Sequence, residues 1–113
     1  ELLRRALLVC MPSRYEGWGM VAVEAAAVGK AVIGTDISGL RDAICDGETG
    51  LLVPAGDAAA LAAAMRALVA DDQRRRCLGA EGRKWARNFD WNLLAKEQEG
   101  VYLRALRGIS GVA

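Results

Sequence analysis

In the first half of the chain, short apolar runs alternate with stretches of helical pattern, and this alternation most constrains the fold. Strand-like runs occupy residues 7–11, 31–34 and 50–53, while residues 20–28 and 40–45 have helical patterns. Strand, helix, strand, helix, strand at this spacing predicts a parallel sheet. The runs are nearly all apolar rather than alternating, which indicates a sheet covered on both faces. We therefore expect an α/β, Rossmann-like parallel sheet with flanking helices.

The second half of the chain is predicted to be helical. Asp57 has the side chain preferred at a helix N-cap, and Leu61, Met65 and Leu68 follow it at the spacing of one apolar stripe. Residues 73–88 are predicted to form a second helix. A last helix is expected to be capped by Asp90 and to carry an apolar stripe of Leu94, Val101 and Ala105.

Composition excludes several classes of site. The chain has no histidine, so Ser-His-Asp triads, Cys-His dyads and His-ligated metal sites are excluded, and no metal site is predicted. Cys10, Cys45 and Cys77 match no zinc spacing, and we interpret them as reduced, small core residues. The net charge of +1 gives no case for nucleic acid as a partner.

Arginine and lysine are concentrated in residues 74–87. Such a run is usually a solvated helix face, but a basic helix is also a candidate for contact with an anionic membrane or an acidic acceptor. Gly79 and Gly82 are expected to weaken this helix. Trp85, Phe89 and Trp91 are expected in the core.

Glu24 is the only charged residue in the run 20–28, whose other members are Met, Val and Ala. A helix that is apolar all round is buried, and a buried carboxylate needs partners such as the two vicinal hydroxyls of a sugar. The alternative is that Glu24 points to solvent or caps local backbone. Both interpretations stay open on the residues alone.

The turn before this helix contains Gly17 and Gly19. Glycines allow the backbone to approach a ligand, and the first amides of the helix, near Met20 and Val21, can bind a diphosphate. Glu16 lies in the same loop, after a strand, where ligands bind in open α/β sheets. A single Gly-x-Gly can also be only a tight turn, and an ordinary loop carboxylate would also favour the nearby helix N-terminus.

Four blocks in order resemble one family. They are the segment Pro12-Ser13-x-Tyr15-Glu16-Gly17-Trp18-Gly19, the spacing Glu16-x7-Glu24, residues 29–36, and residues 46–54 with the helix after Asp57. Together they resemble the GT4-type retaining glycosyltransferases of the GT-B fold. The resemblance implies that residues 1–113 are a single, partial C-terminal nucleotide-sugar-binding domain, without the acceptor domain and N-terminal half. We expect no turnover from this chain alone.

The resemblance also implies roles for individual residues. Glu16, the candidate catalytic residue, would bind hydroxyls of the donor sugar, without a role as nucleophile. Glu24 would hold the ribose hydroxyls, and backbone groups would contact the sugar and diphosphate. The implied donor-binding set is Glu16, Gly17, Trp18, Gly19, Met20, Val21 and Glu24. The donor would be a UDP- or GDP-sugar, with no cofactor or metal, and the acceptor a sugar, lipid or small molecule.

Two departures from the family pattern stand out. Asp42 occupies the place of a glutamate in the loop after Gly39, and no counterpart of the family's upstream phosphate-binding Arg and Lys is visible. The alternatives are a non-catalytic nucleotide-sugar-binding module and a nucleotide-sugar epimerase of the same architecture. We expect a cytoplasmic location, with peripheral contact at the inner membrane face as a further option.

Overall fold

The computed structural model describes residues 2–15, 17, 19–88, 99–100 and 103–104. Within them, helices and strands alternate along the chain as the apolar pattern predicts. The elements are α1 (Leu2–Arg5), β1 (Val9–Met11), α2 (Met20–Ala27), β2 (Val32–Thr35), α3 (Ser38–Arg41), β3 (Gly50–Val53), α4 (Ala58–Ala70) and α5 (Asp72–Ala86).

The three strands form one parallel sheet in the order β1-β2-β3. Val9 lies opposite Val32 in the first pair, and Val32 lies opposite Gly50 in the second. Because the strands are parallel, their carboxyl ends meet at one edge of the sheet, here called the carboxyl edge. Their amino ends meet at the opposite, amino edge.

Successive residues of each strand enter two different cores, so the sheet is covered on both faces, as predicted. On β2, Val32 belongs to the core formed with α2 and α3, whereas the next residue, Ile33, belongs to the core formed with α4. Both side chains are fully buried. This alternation follows from the pleat of a strand, which points neighbouring side chains to opposite faces. The predicted α/β, Rossmann-like fold is confirmed.

Helix α4 begins where the sequence predicts. The Asp57 carboxylate accepts a hydrogen bond from the Ala60 amide at 2.9 Å, which is the N-cap geometry. Leu68 is fully buried, but the side chain of Met65 is 39% exposed. The prediction of Met65 as a core position is therefore wrong, because only part of α4 contacts the sheet.

Helix α5 crosses the amino edge of the sheet, from the face that packs against α4 to the face that packs against α2. Leu78 packs in the core on the α4 face, whereas Trp85 packs against the core on the α2 face. Between them, Gly79 contacts the backbone at Gly29, and Gly82 lies against Ala26 and the Thr49 carbonyl. The two glycines thus lie at the closest approach of α5 to the rest of the fold, where the sequence indicated only a weakened helix.

Two further predictions are wrong at least in part, and a third concerns residues outside the described part of the chain. The short helix predicted at 40–45 spans Ser38–Arg41, and the chain then continues as a turn into Ile44. Cys45 and Cys77 are exposed, so their expected core placement is wrong, whereas the half-buried Cys10 packs against the core on the α4 face; all three are free thiols. The predicted last helix with its Asp90 cap, and Phe89 and Trp91, fall almost wholly outside the described residues.

Candidate functional site

The loops that follow the three strands meet at the carboxyl edge and are bonded to one another. The Thr35 hydroxyl, at the end of β2, donates a hydrogen bond to the Ser13 carbonyl in the loop after β1. The Asp36 amide donates to the Val53 carbonyl at 2.7 Å, joining β2 to the end of β3. The loop that leads to α2 is therefore held against the sheet at the edge where open α/β folds bind ligands.

Gly19 fits closely against α3. Its amide donates to the Gly39 carbonyl at 3.4 Å, and a Cβ atom at this position would lie 2.8 Å from the Cβ of Ala43. Leu40 would be almost as close. The observed reason for glycine at position 19 is therefore packing within the protein. Gly17, by contrast, is exposed, with nothing within 4 Å of the place a Cβ would take.

Helix α2 starts at Met20 without a side-chain cap. Its first intrahelical bond runs from the Val23 amide to the Gly19 carbonyl at 3.1 Å, so the amides of Met20, Val21 and Ala22 precede the helical ladder. Met20 is half-buried and Val21 is exposed. Uncapped amides at the positive end of the helix dipole form a surface suited to an anion.

Glu24 is exposed, so of the two interpretations left open by the sequence, the buried carboxylate is wrong and the solvent-facing one is observed. The helix is buried on one side only, by four small residues: Ala22, Val23, Ala25 and Ala26. Val21 and Glu24, one turn apart, face away from the core. Alanine and valine suffice to cover β1 and β2 on one side, and the other side of the helix stays open to solvent.

The structure brings together part of the predicted site. Met20, Val21 and Glu24 share the open side of α2, with the carboxylate about 6 Å along the helix axis from its first residue, at 1.5 Å per residue. Glu16 and Trp18 lie outside the described residues. Among the described residues, no group of three or more acidic or cysteine side chains is arranged to hold a metal ion.

A cleft of about 280 Å³ lies at the carboxyl edge, on the face of the sheet that packs against α4, and was not predicted from the sequence. Its lining comprises Pro12, Arg14, Thr35, Val53, Pro54, Gly56, Asp57, Ala58 and Leu61. Arg14 is in the same loop as Glu16, and Asp57 was expected only as a cap. Their convergence depends on the pairing of β1, β2 and β3, which no local pattern specifies. Nearby, Arg41 pairs with Asp36 at 2.6 Å.

Comparison with known sequences identifies one family. The sequence model of "Glycosyl transferases group 1" matches residues 1–85. The chain is 41% identical over 109 residues to "Glycogen synthase" of Mycobacterium tuberculosis, covering 95% of the chain and 26% of that protein. It is 42% identical over 101 residues to "Phosphatidyl-myo-inositol mannosyltransferase" of Mycobacterium leprae, covering 88% and 27%. The chain thus spans about a quarter of these curated relatives.

Solved structures agree with the fold. Sucrose-phosphate synthase from Thermosynechococcus elongatus superposes with a TM-score of 0.75 at 38% identity, over 91% of this chain and 26% of that one. Anabaena Alr3699/HepE, solved in complex with UDP, gives a TM-score of 0.76 at 25% identity, over 92% and 29%. The sheet and helices described above are therefore those of GT-B glycosyltransferases.

Proposed function

Because the chain belongs to the group 1 family of glycosyl transferases, we propose that it forms the donor-binding part of an enzyme that transfers a sugar from a nucleoside diphosphate with retention at the anomeric carbon. The observation that carries the proposal is the open side of α2, where uncapped amides and an exposed carboxylate lie one turn apart. The solved complex of Anabaena Alr3699/HepE with UDP supports a nucleotide as ligand.

In this proposal the diphosphate of the donor binds at the start of α2. The amides of Met20 and Val21 donate to its oxygens, and no side chain competes for them. Charge grows on the diphosphate as it leaves the sugar, so fixed donors at this place stabilise the transition state more than the ground state. One such donor typically contributes about 3 kcal/mol.

Glu24 then holds the ribose of the donor. Its carboxylate is exposed, hence accessible, and two hydroxyls of a ribose can donate to its two oxygens. Hydrogen bonds to a charged group are stronger than neutral ones. Glu16 would bind hydroxyls of the transferred sugar in the same way, and Gly17 and Trp18 would offer backbone groups nearby.

The proposal needs no bound cofactor and no metal, since α2 supplies the positive field that a cation would otherwise provide. The donor is a UDP- or GDP-sugar, and the acceptor a sugar, a lipid or a small molecule. The relatives' names are those of a synthase and a mannosyltransferase, which favours transfer over epimerisation or binding alone. The acceptor-binding part would lie outside these 113 residues, which alone would not turn over.

Donor titration into the enzyme that carries this chain tests the assignment of Glu24. We expect Glu24→Ala to weaken nucleotide-sugar affinity about 10- to 150-fold, the loss of a hydrogen-bonded charged group. Glu48→Ala is the matched control, because Glu48 is an exposed carboxylate in the turn before β3, at the amino edge, and should leave the affinity unchanged.

A 2′-deoxyribose donor identifies the group that Glu24 binds. The unmodified protein should bind this analogue more weakly than the ribose donor. Glu24→Ala should bind the two equally, because the contact between the Glu24 carboxylate and the 2′-hydroxyl is already lost in the variant. Undiminished donor affinity in Glu24→Ala would refute the ribose assignment.

A further inference from the structure

A second surface, at the amino edge, combines basic and apolar side chains. A shallow cleft of about 420 Å³ is lined by three cations of α5 and by its C-cap residue Arg87, together with Val28, Gly29 and Ala80. An adjoining cleft of about 180 Å³ shares Gly29 and Arg76 with it and contains Leu7. We call this the amino-edge surface and define it by Leu7, Arg76, Arg83, Lys84 and Arg87.

Helix α5 explains why these side chains share one surface. Its inner side packs beneath the sheet through Leu78, Gly79 and Gly82, so its other side faces away from the fold. Arg75 connects this helix to the end of α4, where its guanidinium donates to the Val69 carbonyl at 2.7 Å. The backbone of Val69 thereby lies beside the start of the basic helix.

The charge of this helix is not balanced. Residues 71–88 contain six basic and three acidic side chains. Arg76 pairs with Asp72 and Lys84 with Glu81, each at 3.1 Å, but these pairs are exposed and therefore weak. Within the described part of the chain, no carboxylate pairs with Arg83 or Arg87. The surface therefore presents a net positive field to the solvent.

The shape of the surface favours a flat partner. The side chains of Arg76 and Lys84 are 81% and 69% exposed, so they extend outward rather than enclosing a small ligand. Leu7, which lines the adjoining cleft together with Arg76, is 54% exposed. Cations attract anionic headgroups. Burial of apolar side chains is favourable only where an apolar phase lies behind those headgroups, as it does in a bilayer. A nucleic acid offers the charge but not that phase.

We propose that the amino-edge surface docks on the face of an anionic phospholipid bilayer. Docking there leaves the carboxyl edge, with the start of α2, turned away from the lipid and open to solution. The binding is peripheral: no helix in the described part of the chain is long and apolar enough to cross a membrane.

Co-sedimentation with vesicles tests the proposal on the 113-residue chain. We expect binding to vesicles of equal parts phosphatidylcholine and phosphatidylglycerol, and none to phosphatidylcholine alone. The bound fraction should fall as salt is raised, because screening weakens exposed charges. Arg83→Gln with Arg87→Gln should reduce the partition coefficient about 25-fold, fivefold for each cation removed near the surface.

The matched control removes two cations from the opposite edge. Arg14→Gln with Arg41→Gln changes the net charge equally and should leave vesicle binding intact, with circular dichroism confirming that both variants fold. Leu7→Ser should weaken binding by removing an exposed apolar side chain from the surface. Donor titration should be unaffected by the α5 variant, so this proposal can fail independently of the proposed function.

Three outcomes would overturn the docking proposal. The first is no binding to anionic vesicles at low salt. The second is an equal loss from the two Arg→Gln pairs, which would indicate a general charge effect. The third is binding of inorganic phosphate at Arg83 and Arg87 without any vesicle binding, which would indicate a soluble anion.

Discussion

Small residues and the side chains that fill the space above them determine the structure around the start of α2. Leu40 and Ala43 occupy the space over Gly19, and Leu40 and Ile44 occupy the space over Gly34, where a Cβ would lie 2.7 Å from the Ile44 Cδ1. All three apolar side chains are buried. Any larger residue at position 19 or 34 would push α3 away, because packed interiors have no spare volume. The position of the start of α2 relative to α3 thus depends on the absence of a side chain at positions 19 and 34.

The three thiols differ in their surroundings and should differ in reactivity. Burial raises the pKa of the Cys10 thiol, whereas Cys45 and Cys77 are exposed. Since the thiolate is the nucleophile, iodoacetamide near neutral pH should modify Cys45 and Cys77 first and Cys10 several-fold more slowly. Mass spectrometry of peptides over time measures this. In concentrated urea the three rates should converge, and equal rates in the folded protein would contradict the prediction.

The Cys10 thiol makes the free energy of unfolding depend on pH. The pKa of Cys10 is higher folded than unfolded, so the folded state binds more protons once pH rises above the unfolded value of about 9. The Cys10 contribution is therefore unchanged below that pH and becomes destabilising above it, as pH rises through the folded pKa.

Helices α4 and α5 are joined by caps rather than by a long loop. Asp57 caps α4, and Asp71 caps α5 by accepting from the Arg74 amide at 2.9 Å. The Arg75 side chain, 12% exposed, donates to the last carbonyls of α4 and pairs with Asp72 at 2.9 Å. The end of one helix and the start of the next thus satisfy each other's backbone groups, which fixes the sharp change of direction.

Removal of the α4 cap should cost a measurable part of the stability. Asp57→Ala leaves the Ala60 amide without its side-chain acceptor, and we expect the free energy of unfolding to fall by about 1 kcal/mol. Urea denaturation followed by circular dichroism measures the change. Asp57→Asn keeps an acceptor oxygen and should lose much less. A loss of the same size in both variants would show that charge, and not the cap, stabilises α4.

Over the whole molecule, α5 holds the two faces of the sheet together. It contributes Leu78 to one core and places Trp85 against the other, and its backbone touches the turn at Gly29. Gly29 has a φ of +76°, a conformation that side chains rarely adopt, so both partners in this contact depend on glycine. The same crossing directs the basic side of α5 to the amino edge.

Two glycine substitutions in α5 separate helix propensity from packing. Replacing a helical glycine with alanine normally stabilises by about 1 kcal/mol. At Gly79 the added Cβ would meet backbone atoms of Gly29, so we expect Gly79→Ala to lower the free energy of unfolding by about 1–3 kcal/mol. Gly82→Ala is the control: its Cβ would lie 3.4 Å from the Ala26 Cβ, an ordinary contact, and stability should hold or rise.

Urea denaturation of both variants provides the comparison. If Gly79→Ala were as stable as Gly82→Ala, α5 would not pack against the Gly29 turn as described, and the crossing under the amino edge would be in doubt. A loss confined to Gly79→Ala would support it.

The local sequence pattern was enough to predict those features that a few neighbouring residues determine. The bounds of β3 at Gly50–Val53, the cap at Asp57 and the parallel sheet covered on both faces follow from apolar runs, one side chain and the spacing between runs. The order of motifs around Glu16 and Glu24 also identified the family. These features need no knowledge of what packs where.

Only the tertiary structure decided which side of each element is covered. Glu24 and Met65 are exposed and the glycines of α5 lie at a close contact, because burial depends on partners from distant parts of the chain. The same holds for the cleft that joins Arg14 to Asp57 and for the basic surface at the amino edge. Sequence periodicity reports that a helix has an apolar side, while the packing of sheet and helices determines how much of that side meets solvent.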